Sequence, residues 1–447
     1  MSVLRALLAA AVLAGAARPD GARAAAPSPA ESSVEIGAAP RSISEREAAQ
    51  LLIQGGRFAE AKRVLVALEA KAPQDSEVQF LLGLIAVQEK HYAEAIHRFR
   101  AILVREPGVT RVRLELARAF FLAKDYDNAE RQFRLARAGD LSPAAKANVD
   151  QYLYLIRQAR RWTYNLSAAV VPDTNEGAGP GVNIVDLFGL PFQLSADARQ
   201  HSGVGMNISA GGEYSPALTK TIRLRIGAQI DTTDYPGGEF NDTTLAAYAG
   251  PRFLTQHWDI SPLATGFERW FSNRFYNQGV GGSLQATYYA TPRLALTGTL
   301  GAQQVTYGPP KGQDGPTVSG SLGFLYTLDP LSAITAAMSV SRQDASLGFY
   351  ANTASQIRLG YARDLPLGYS ILIQPSYAGI DYDLAQAAFG VARRDRQSVI
   401  QISLLNRRID FFGFTPRIAY THTHNASNLA LYAYDRDQAQ IGLTREF

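Results

Sequence analysis

The sequence predicts a multidomain α and β protein, in which an N-terminal α-helical solenoid is followed by a 14-stranded antiparallel transmembrane β-barrel. Two observations indicate this fold class. A helical repeat of 34 residues runs through the first part of the chain, and short runs of alternating apolar and polar residues fill the rest. The change between the two patterns falls at Trp162, which we take as the start of the second region.

The chain begins with the features of a secretory signal peptide. Arg5 supplies a positive charge, residues 6–17 form an apolar stretch of Ala, Leu and Val, and small residues surround Ala24 and Ala26. The apolar stretch is too short to span a bilayer, which is typical of a cleaved signal rather than an anchor. We therefore expect residues 1–26 to be a signal peptide and residues 27–41 to be a linker.

The composition excludes several kinds of site and partner. The sequence contains no cysteine, which excludes disulfides, thiolate metal ligands and a cysteine nucleophile. The formal net charge of +4 is small for 447 residues, so we expect no nucleic-acid partner. After the signal, no apolar run is long enough for a transmembrane helix, whereas a barrel crosses a membrane with alternating strands.

Residues 42–160 contain three copies of the helical repeat. At a spacing of 34 residues, three aromatic residues fall in one column and three alanines in the next: Phe58, Tyr92 and Tyr126, then Ala61, Ala95 and Ala129. Prolines 73 and 107 close the first two copies. This pattern resembles the tetratricopeptide family, in which small residues lie where two helices touch. Residues 144–160 are expected to form a helix that caps the stack.

The resemblance to tetratricopeptide repeats implies a concave groove, lined by the first helix of each repeat. Eight residues match the groove positions: Glu77, Phe80, Leu84, Gln88, Arg111, Glu115, Arg118 and Phe121. We expect them to dock an extended client segment. A solvated helix face without a partner remains the alternative, and the mixed charge of these residues does not identify a ligand class.

Fourteen runs with a period of two predict the strands of the barrel. Their expected ranges are 161–174, 201–216, 219–231, 241–254, 258–271, 276–290, 293–307, 315–328, 332–344, 350–363, 368–383, 396–407, 412–424 and 431–447. An even number of strands brings both ends of the barrel to the same side of the membrane. The region 161–447 is therefore predicted to be an outer-membrane β-barrel.

The connections between these strands alternate in length. Links after odd-numbered strands are long or rich in glycine, as in residues 175–200 and 384–395, and links after even-numbered strands are short, as in residues 255–257. Outer-membrane barrels have long outside loops and short periplasmic turns. This arrangement places the helical repeats and both termini in the periplasm. The final Phe447 resembles the terminal signal read by the barrel-assembly machinery, although Arg445 departs from its apolar pattern.

Candidate residues for chemistry are few. His422 and His424 share one face of a strand, but no third metal ligand is near them in sequence. No Gly-x-Ser-x-Gly motif lies between a strand and a helix. Residues 393–396 carry three arginines in a predicted outside loop, where we expect solvated charge or a contact with lipid head groups. We therefore expect no catalytic site, no metal and no cofactor.

The order of these regions resembles the surface lipoprotein assembly modifier (Slam) family. The junction carries the most specific likeness: residues 152–156, then Arg161 and Trp162, then residues 173–175 after the first strand. The resemblance implies that the chain moves lipoproteins from the periplasm to the cell surface. The implied partners are a client lipoprotein or another exported polymer, outer-membrane lipids and the barrel-assembly machinery, with the barrel a monomer.

Within this interpretation the groove receives the client, and the barrel offers a polar lumen or a lateral opening between its first and last strands. Two other functions remain open at this point. An exopolysaccharide export porin also joins periplasmic repeats to a barrel, although such proteins usually have longer arrays and a lumen of one charge sign. A general diffusion porin with a periplasmic repeat domain is the other alternative.

Overall fold

The computed structural model describes residues 43–409, 411 and 414–445. The predicted signal peptide, the linker, Ser42, Phe412 and the terminal Phe447 lie outside the described residues. Seven helices form the N-terminal array: α1 (Glu45–Gln54), α2 (Phe58–Lys71), α3 (Ser76–Gln88), α4 (Tyr92–Arg105), α5 (Thr110–Leu122), α6 (Tyr126–Arg137) and α7 (Pro143–Ala159). None of the helices in the described part is long and apolar enough to cross a membrane.

The helices form three antiparallel pairs and a final single helix, as the 34-residue period predicts. The three column alanines, Ala61, Ala95 and Ala129, are all fully buried. Gly83 shows why small residues are needed where helices touch, because a Cβ atom there would lie 2.5 Å from Cε1 of Phe99. The repeat pattern thus encodes the contacts between helices.

Helix α7 covers the end of the array. Its residues Val149, Leu153 and Ile156 are buried, and the ring of Tyr152 stacks on Phe133 with 4.8 Å between centroids. Ser142 accepts a hydrogen bond from the backbone N–H of residue 145 and fixes the start of the helix. The prediction of a capping helix after the third repeat is confirmed.

The second region is a closed barrel of fourteen antiparallel strands, as predicted. Its strands are β1 (Trp162–Asp173), β4 (Gly203–Tyr214), β5 (Ile222–Asp234), β6 (Asp242–Leu254), β7 (Trp258–Phe271), β8 (Arg274–Thr291), β9 (Leu294–Tyr307), β10 (Gly315–Asp329), β11 (Ser332–Gln343), β12 (Asn352–Asp364), β13 (Tyr369–Gln386), β14 (Val391–Asn406), β15 (Thr415–Ser427) and β16 (Tyr434–Arg445). The first and last strands, β1 and β16, pair and close the wall. A small hairpin, β2 (Ile184–Leu187) and β3 (Leu190–Gln193), lies in the long link after β1.

The start predicted for the twelfth barrel strand, which is β14 in the structure, was wrong. The sequence pattern placed it at residue 396, but the strand begins at Val391 because the hairpin with β13 continues past an irregularity to the pair Gln386–Val391. Asp395 is therefore buried in the wall and pairs with Arg393 at 2.6 Å. The guanidinium of Arg393 also lies 3.5 Å from the ring centroid of Tyr432. These two charges are part of the wall and are not solvated loop residues.

The two faces of the wall differ in polarity, as strand β5 shows. Ile226 and Ile230 point outward and are exposed, whereas Arg223 and Arg225 point into the lumen. Alternation along each strand produces this difference, because successive side chains point to opposite faces. The outer face suits lipid and the inner face suits water.

Candidate functional site

The helical array is docked on the short-turn end of the barrel. Arg223 of β5 donates hydrogen bonds to the backbone carbonyls of Gln158 and Arg160, where α7 ends. Arg157 donates to the carbonyl of Gln256, in the connection between β6 and β7, at 2.9 Å. Its guanidinium also lies 4.2 Å from the ring centroid of Tyr289. The end of the array is thus held by several barrel strands.

The contacts continue along the rim of the barrel. Arg293, between β8 and β9, donates to the carbonyl of Ala138 at the end of α6. Gly139 faces Pro330 in the next connection, where a Cβ atom would approach the proline ring to 3.1 Å. Helix α4 contacts the turn 366–368 between β12 and β13. The array therefore follows the short-turn rim over five connections in a row.

Asp364, at the end of β12, is the central charge of this interface. It accepts from Arg131 of α6 at 2.5 Å and lies 3.4 Å from Arg113 of α5. The side chain of Arg113 is only 3% exposed, and it also donates to Gln132 at 2.8 Å and to the carbonyl of Pro107 at 2.9 Å. Because a buried guanidinium needs a counter-charge, Asp364 ties the middle of the array to the barrel.

The predicted docking residues lie on α3 and α5, and the structure divides them into two groups. Glu77, Gln88 and Arg111 are exposed, whereas Phe80 is buried and Leu84 is half-buried. The guanidinium of Arg111 lies 4.8 Å from the ring centroid of Phe80 and covers it. Glu77 is held by Arg46 at 3.1 Å and by Gln50 at 2.7 Å. Arg111 of α5 therefore covers an aromatic ring of α3, and Glu77 is tied to α1.

The α5 residues lie beside the capping helix. Glu115 and Arg118 form an ion pair at 3.4 Å, and Phe121 meets Tyr152 edge-on with 5.1 Å between ring centroids. Burial raises the pKa of Glu115, although Arg118 and Arg111 act in the opposite direction. These residues form a half-buried surface that combines aromatic rings with charges of both signs.

The lumen of the barrel is polar and mixed in charge. Glu213 accepts from Arg225 and from the hydroxyl of Tyr248, both at 2.7 Å, and Arg252 pairs with Asp259. A luminal cavity of about 260 Å³ lies beside the contact between β1 and β16. Its polar side chains are Asn165, Ser167, Asn207, Ser209, Gln401, Arg417, Gln440 and Thr444. Because both charge signs are present, the wall does not select strongly for either sign.

The contact between β1 and β16, called here the seam, is irregular. Pairing is continuous from Leu166–Arg445 to Val170–Ile441 and resumes at Asp173–Gln438. Pro172 lies in the interruption and has no N–H to donate to a neighbouring strand. The seam is therefore interrupted below its long-loop end.

Asp173 of β1 holds the long-loop end of the seam together through side-chain hydrogen bonds to β16. It is fully buried and accepts from Arg436 at 2.6 Å, from Gln438 at 2.8 Å and from the hydroxyl of Tyr235 at 2.7 Å. The side chain of Asn175 adds a bond at 3.0 Å to the carbonyl of residue 435. Residues 173 and 175, which belong to the junction that resembles the family, thus connect the first strand to the last.

Comparison with known proteins identifies both regions. Residues 162–447 match the family model described as surface lipoprotein assembly modifier, and residues 48–133 match the model of that family's N-terminal repeats. The chain belongs to the surface lipoprotein assembly modifier family. The resemblance inferred from the junction and from the order of regions is confirmed, and the closed barrel of this family places the protein in the outer membrane.

Several relatives match most of the chain. Surface lipoprotein assembly modifier 1 of Neisseria meningitidis is 23% identical over 399 residues, which cover 86% of this chain and 79% of the relative. The surface lipoprotein assembly modifier of Pasteurella multocida is 21% identical with the same coverage. The hemophilin secretion modulator of Acinetobacter baumannii is 20% identical and covers 82% of this chain and 78% of the relative.

The two candidate histidines of this family member lie on β15. His422 and His424 do share a face, and each pairs with an aspartate of β16: Asp437 at 2.8 Å and Asp435 at 2.7 Å. Over the described ranges no cluster of three or more His, Asp or Glu could hold a metal ion. Two of the relatives above are named as assembly modifiers and one as a secretion modulator.

The sequence interpretation of this family member did not include the rim contacts. Arg113, Arg131 and Asp364 are far apart along the chain, and no local motif connects them. The available signal was an arginine on the apolar face of a helix, since Arg113 lies three and four residues before the buried Leu116 and Ala117 in α5. A buried cation of this kind implies a counter-charge from another element.

Proposed function

We propose that this protein delivers lipoproteins across the outer membrane to the cell surface. In this proposal residues 42–160 lie in the periplasm and dock the client, and residues 161–447 provide the path through the membrane. The docking of the array on the short-turn rim carries the proposal, because it holds a groove beside one mouth of a polar barrel. Short turns are the periplasmic ends of outer-membrane barrels.

The names of the relatives support a protein cargo. Two are named for the assembly of surface lipoproteins and one for the secretion of hemophilin. The mixed charge of the lumen also gives no support to an exporter of a polymer with one charge sign. In the proposed path, a client docks on the array near Arg111 and Phe121 and then passes through the lumen or through the seam.

The proposal also includes partners outside this chain. Phe447 is proposed to be read by the barrel-assembly machinery, and the outward apolar face is proposed to contact outer-membrane lipids. Both fit a monomeric barrel with a closed wall. The sequence resemblance of the C-terminus to an assembly signal is the support for the first of these partners.

The test is protease accessibility of lipoproteins on intact cells, with and without this gene. We expect at least one lipoprotein to become resistant to external protease when the gene is deleted, while its total amount stays unchanged. Re-expression of the full chain should restore its exposure. If every lipoprotein kept the same accessibility in both strains, the proposed function would be wrong, and conductance and polysaccharide export would be measured next.

A further inference from the structure

The apolar outer face of the barrel has an uneven height. On β10, every outward residue from Val318 to Leu328 is Val, Gly, Leu, Phe or Tyr. Leu322, in the middle, is 67% exposed. The ten rises from residue 318 to residue 328, at about 3.3 Å each and tilted by about 40°, give an apolar height of roughly 25 Å. This equals the usual height of the apolar band of an outer-membrane barrel.

On the last strand, β16, the apolar stretch is much shorter. Its outward residues between Asp437 and Arg445 are Ala439, Ile441 and Leu443. The same rise and tilt give roughly 10 Å for these three residues, and roughly 20 Å from one charged residue to the other. On the β16 side of the seam, the apolar band is therefore less than half as high as it is on β10.

The neighbouring strand β15 has the same polar upper part. Residues directly opposite each other share a face, and Ile418 faces Ile441 on the outer wall. Counting by twos along both strands places His422 opposite Asp437 and His424 opposite Asp435, also on the outer wall. The hydroxyl of Tyr420 adds a bond of 2.5 Å to Asp437. Ionisable pairs thus lie on the outer wall directly above the apolar residues of β15 and β16.

Strand β14 extends this polar surface away from the seam. Above Ile402 and Ile400, its outward residues are Ser398 and Arg396, and Arg396 pairs with Asp381 of β13 at 2.8 Å. The outward residue below Leu404 is Asn406. The short band therefore covers a continuous sector, β14 to β16, that ends at the seam.

We propose that the outer membrane is locally thinned along β14–β16, beside the seam. Lipid must either cover the charged groups of this sector or shorten its hydrocarbon to the apolar residues that are present. Covering charges is the more costly choice, because thinning costs little per ångström whereas a charge in hydrocarbon is expensive. At the lower edge of this sector, the guanidinium of Arg445 lies 5.1 Å from the ring centroid of Tyr164.

A thin sector beside the seam has a direct use, and this use rests on the proposed function. A lipid-anchored client that leaves through the seam must carry polar groups past the hydrocarbon while its acyl chains stay in it. A shorter hydrocarbon layer lowers the barrier for that step. The interruption of pairing at Pro172 lies in the same part of the wall.

The thinning can be measured directly because the chain has no cysteine. Single cysteines at outward positions 435–445 of β16 and 318–328 of β10 would carry nitroxide spin labels in dioleoylphosphatidylcholine vesicles. For each label, the accessibility to oxygen is compared with the accessibility to a water-soluble nickel complex. This comparison shows which positions lie inside hydrocarbon, and these positions are then counted on each strand. We expect three such positions on β16 and six on β10. Equal counts on both strands would overturn the proposal whether or not the protein moves lipoproteins.

The role of the thin sector in lipoprotein delivery is tested by extending its apolar band with leucine substitutions. The variant D435L/D437L/H422L/H424L should extend the hydrocarbon-accessible run of β16 by two positions and reduce lipoprotein exposure on intact cells by at least fivefold. R342L/D383L, an exposed outer pair at 2.5 Å on other strands, is the matched control and should leave exposure unchanged. Heat-modifiable gel migration verifies that both variants form closed barrels. If the hydrocarbon-accessible run of β16 became longer but lipoprotein exposure stayed unchanged, the thin sector would have no role in lipoprotein delivery. If deletion of the gene left lipoprotein exposure unchanged, the proposed function itself would be wrong.

Discussion

Replacing Asp364 by alanine should release the helical array from the barrel rim. The substitution removes the partner of Arg113, which is 3% exposed, and of Arg131, which is 29% exposed. Breaking a buried ion pair on one side costs about 3–5 kcal/mol, because the remaining charge is left without a partner. Arg113 keeps its bonds to Gln132 and Pro107, so we take the lower value of about 3 kcal/mol.

A change of about 3 kcal/mol shifts the ratio of docked to undocked arrays by roughly 100-fold. Spin labels on cysteines at Gln88 of the array and Lys220 of the β4–β5 connection, both exposed, report this ratio as a distance distribution. We expect one narrow distribution in the parent protein and a broad second population in Asp364→Ala. Asp383→Ala is the control, because Asp383 also pairs with an arginine at 2.5 Å but is 37% exposed. If Asp364→Ala kept the narrow distribution, Asp364 would not hold the interface.

Three further changes test the array and the seam. Gly83→Ala places a Cβ atom 2.5 Å from Phe99 and should lower the stability of the array by about 1–3 kcal/mol in thermal melts of the helical signal. Gly108→Ala is the control, because a Cβ atom there has no neighbour within 4 Å and should leave the stability unchanged. Burial acts to raise the pKa of Glu130, but Arg134 and Arg160 lower it from 4.5 to about 2, so its contribution is present above pH 4.5 and is lost as the pH falls towards 2. Glu130→Gln should therefore flatten the loss of helical stability between pH 4.5 and 2, and an unchanged pH dependence would contradict this role. Asp173→Ala leaves Arg436 without its carboxylate and should lower the temperature at which the barrel unfolds on semi-native gels, while Asp231→Ala serves as a luminal control.

Local periodicity was enough to predict most of the fold. The 34-residue columns predict the helix pairs because each alanine must fit a contact between helices, as Ala95 does. The alternation of Ile222, Leu224 and Ile226 against Arg223 and Arg225 predicts a strand with one lipid-facing side. These patterns repeat within a few residues, so they can be recognised without knowledge of the partner strands.

Contacts between distant parts of the chain could not be predicted in the same way. A spacing of two placed His422 and His424 on one face, but their partners Asp437 and Asp435 depend on the register of β15 against β16. Arg113 and Asp364 are separated by 251 residues. Such contacts follow from closure of the barrel and from docking of the array, which no local pattern specifies.

The rim contacts also bear on how this protein can diverge. Arg223 and Arg293 donate hydrogen bonds to backbone carbonyls at the ends of α7 and α6, and every residue type has a backbone carbonyl. Side chains on the array can therefore be exchanged without loss of these two anchors. Under the proposed function, mutation of the groove would change the cargo while the barrel keeps the same contacts with the array.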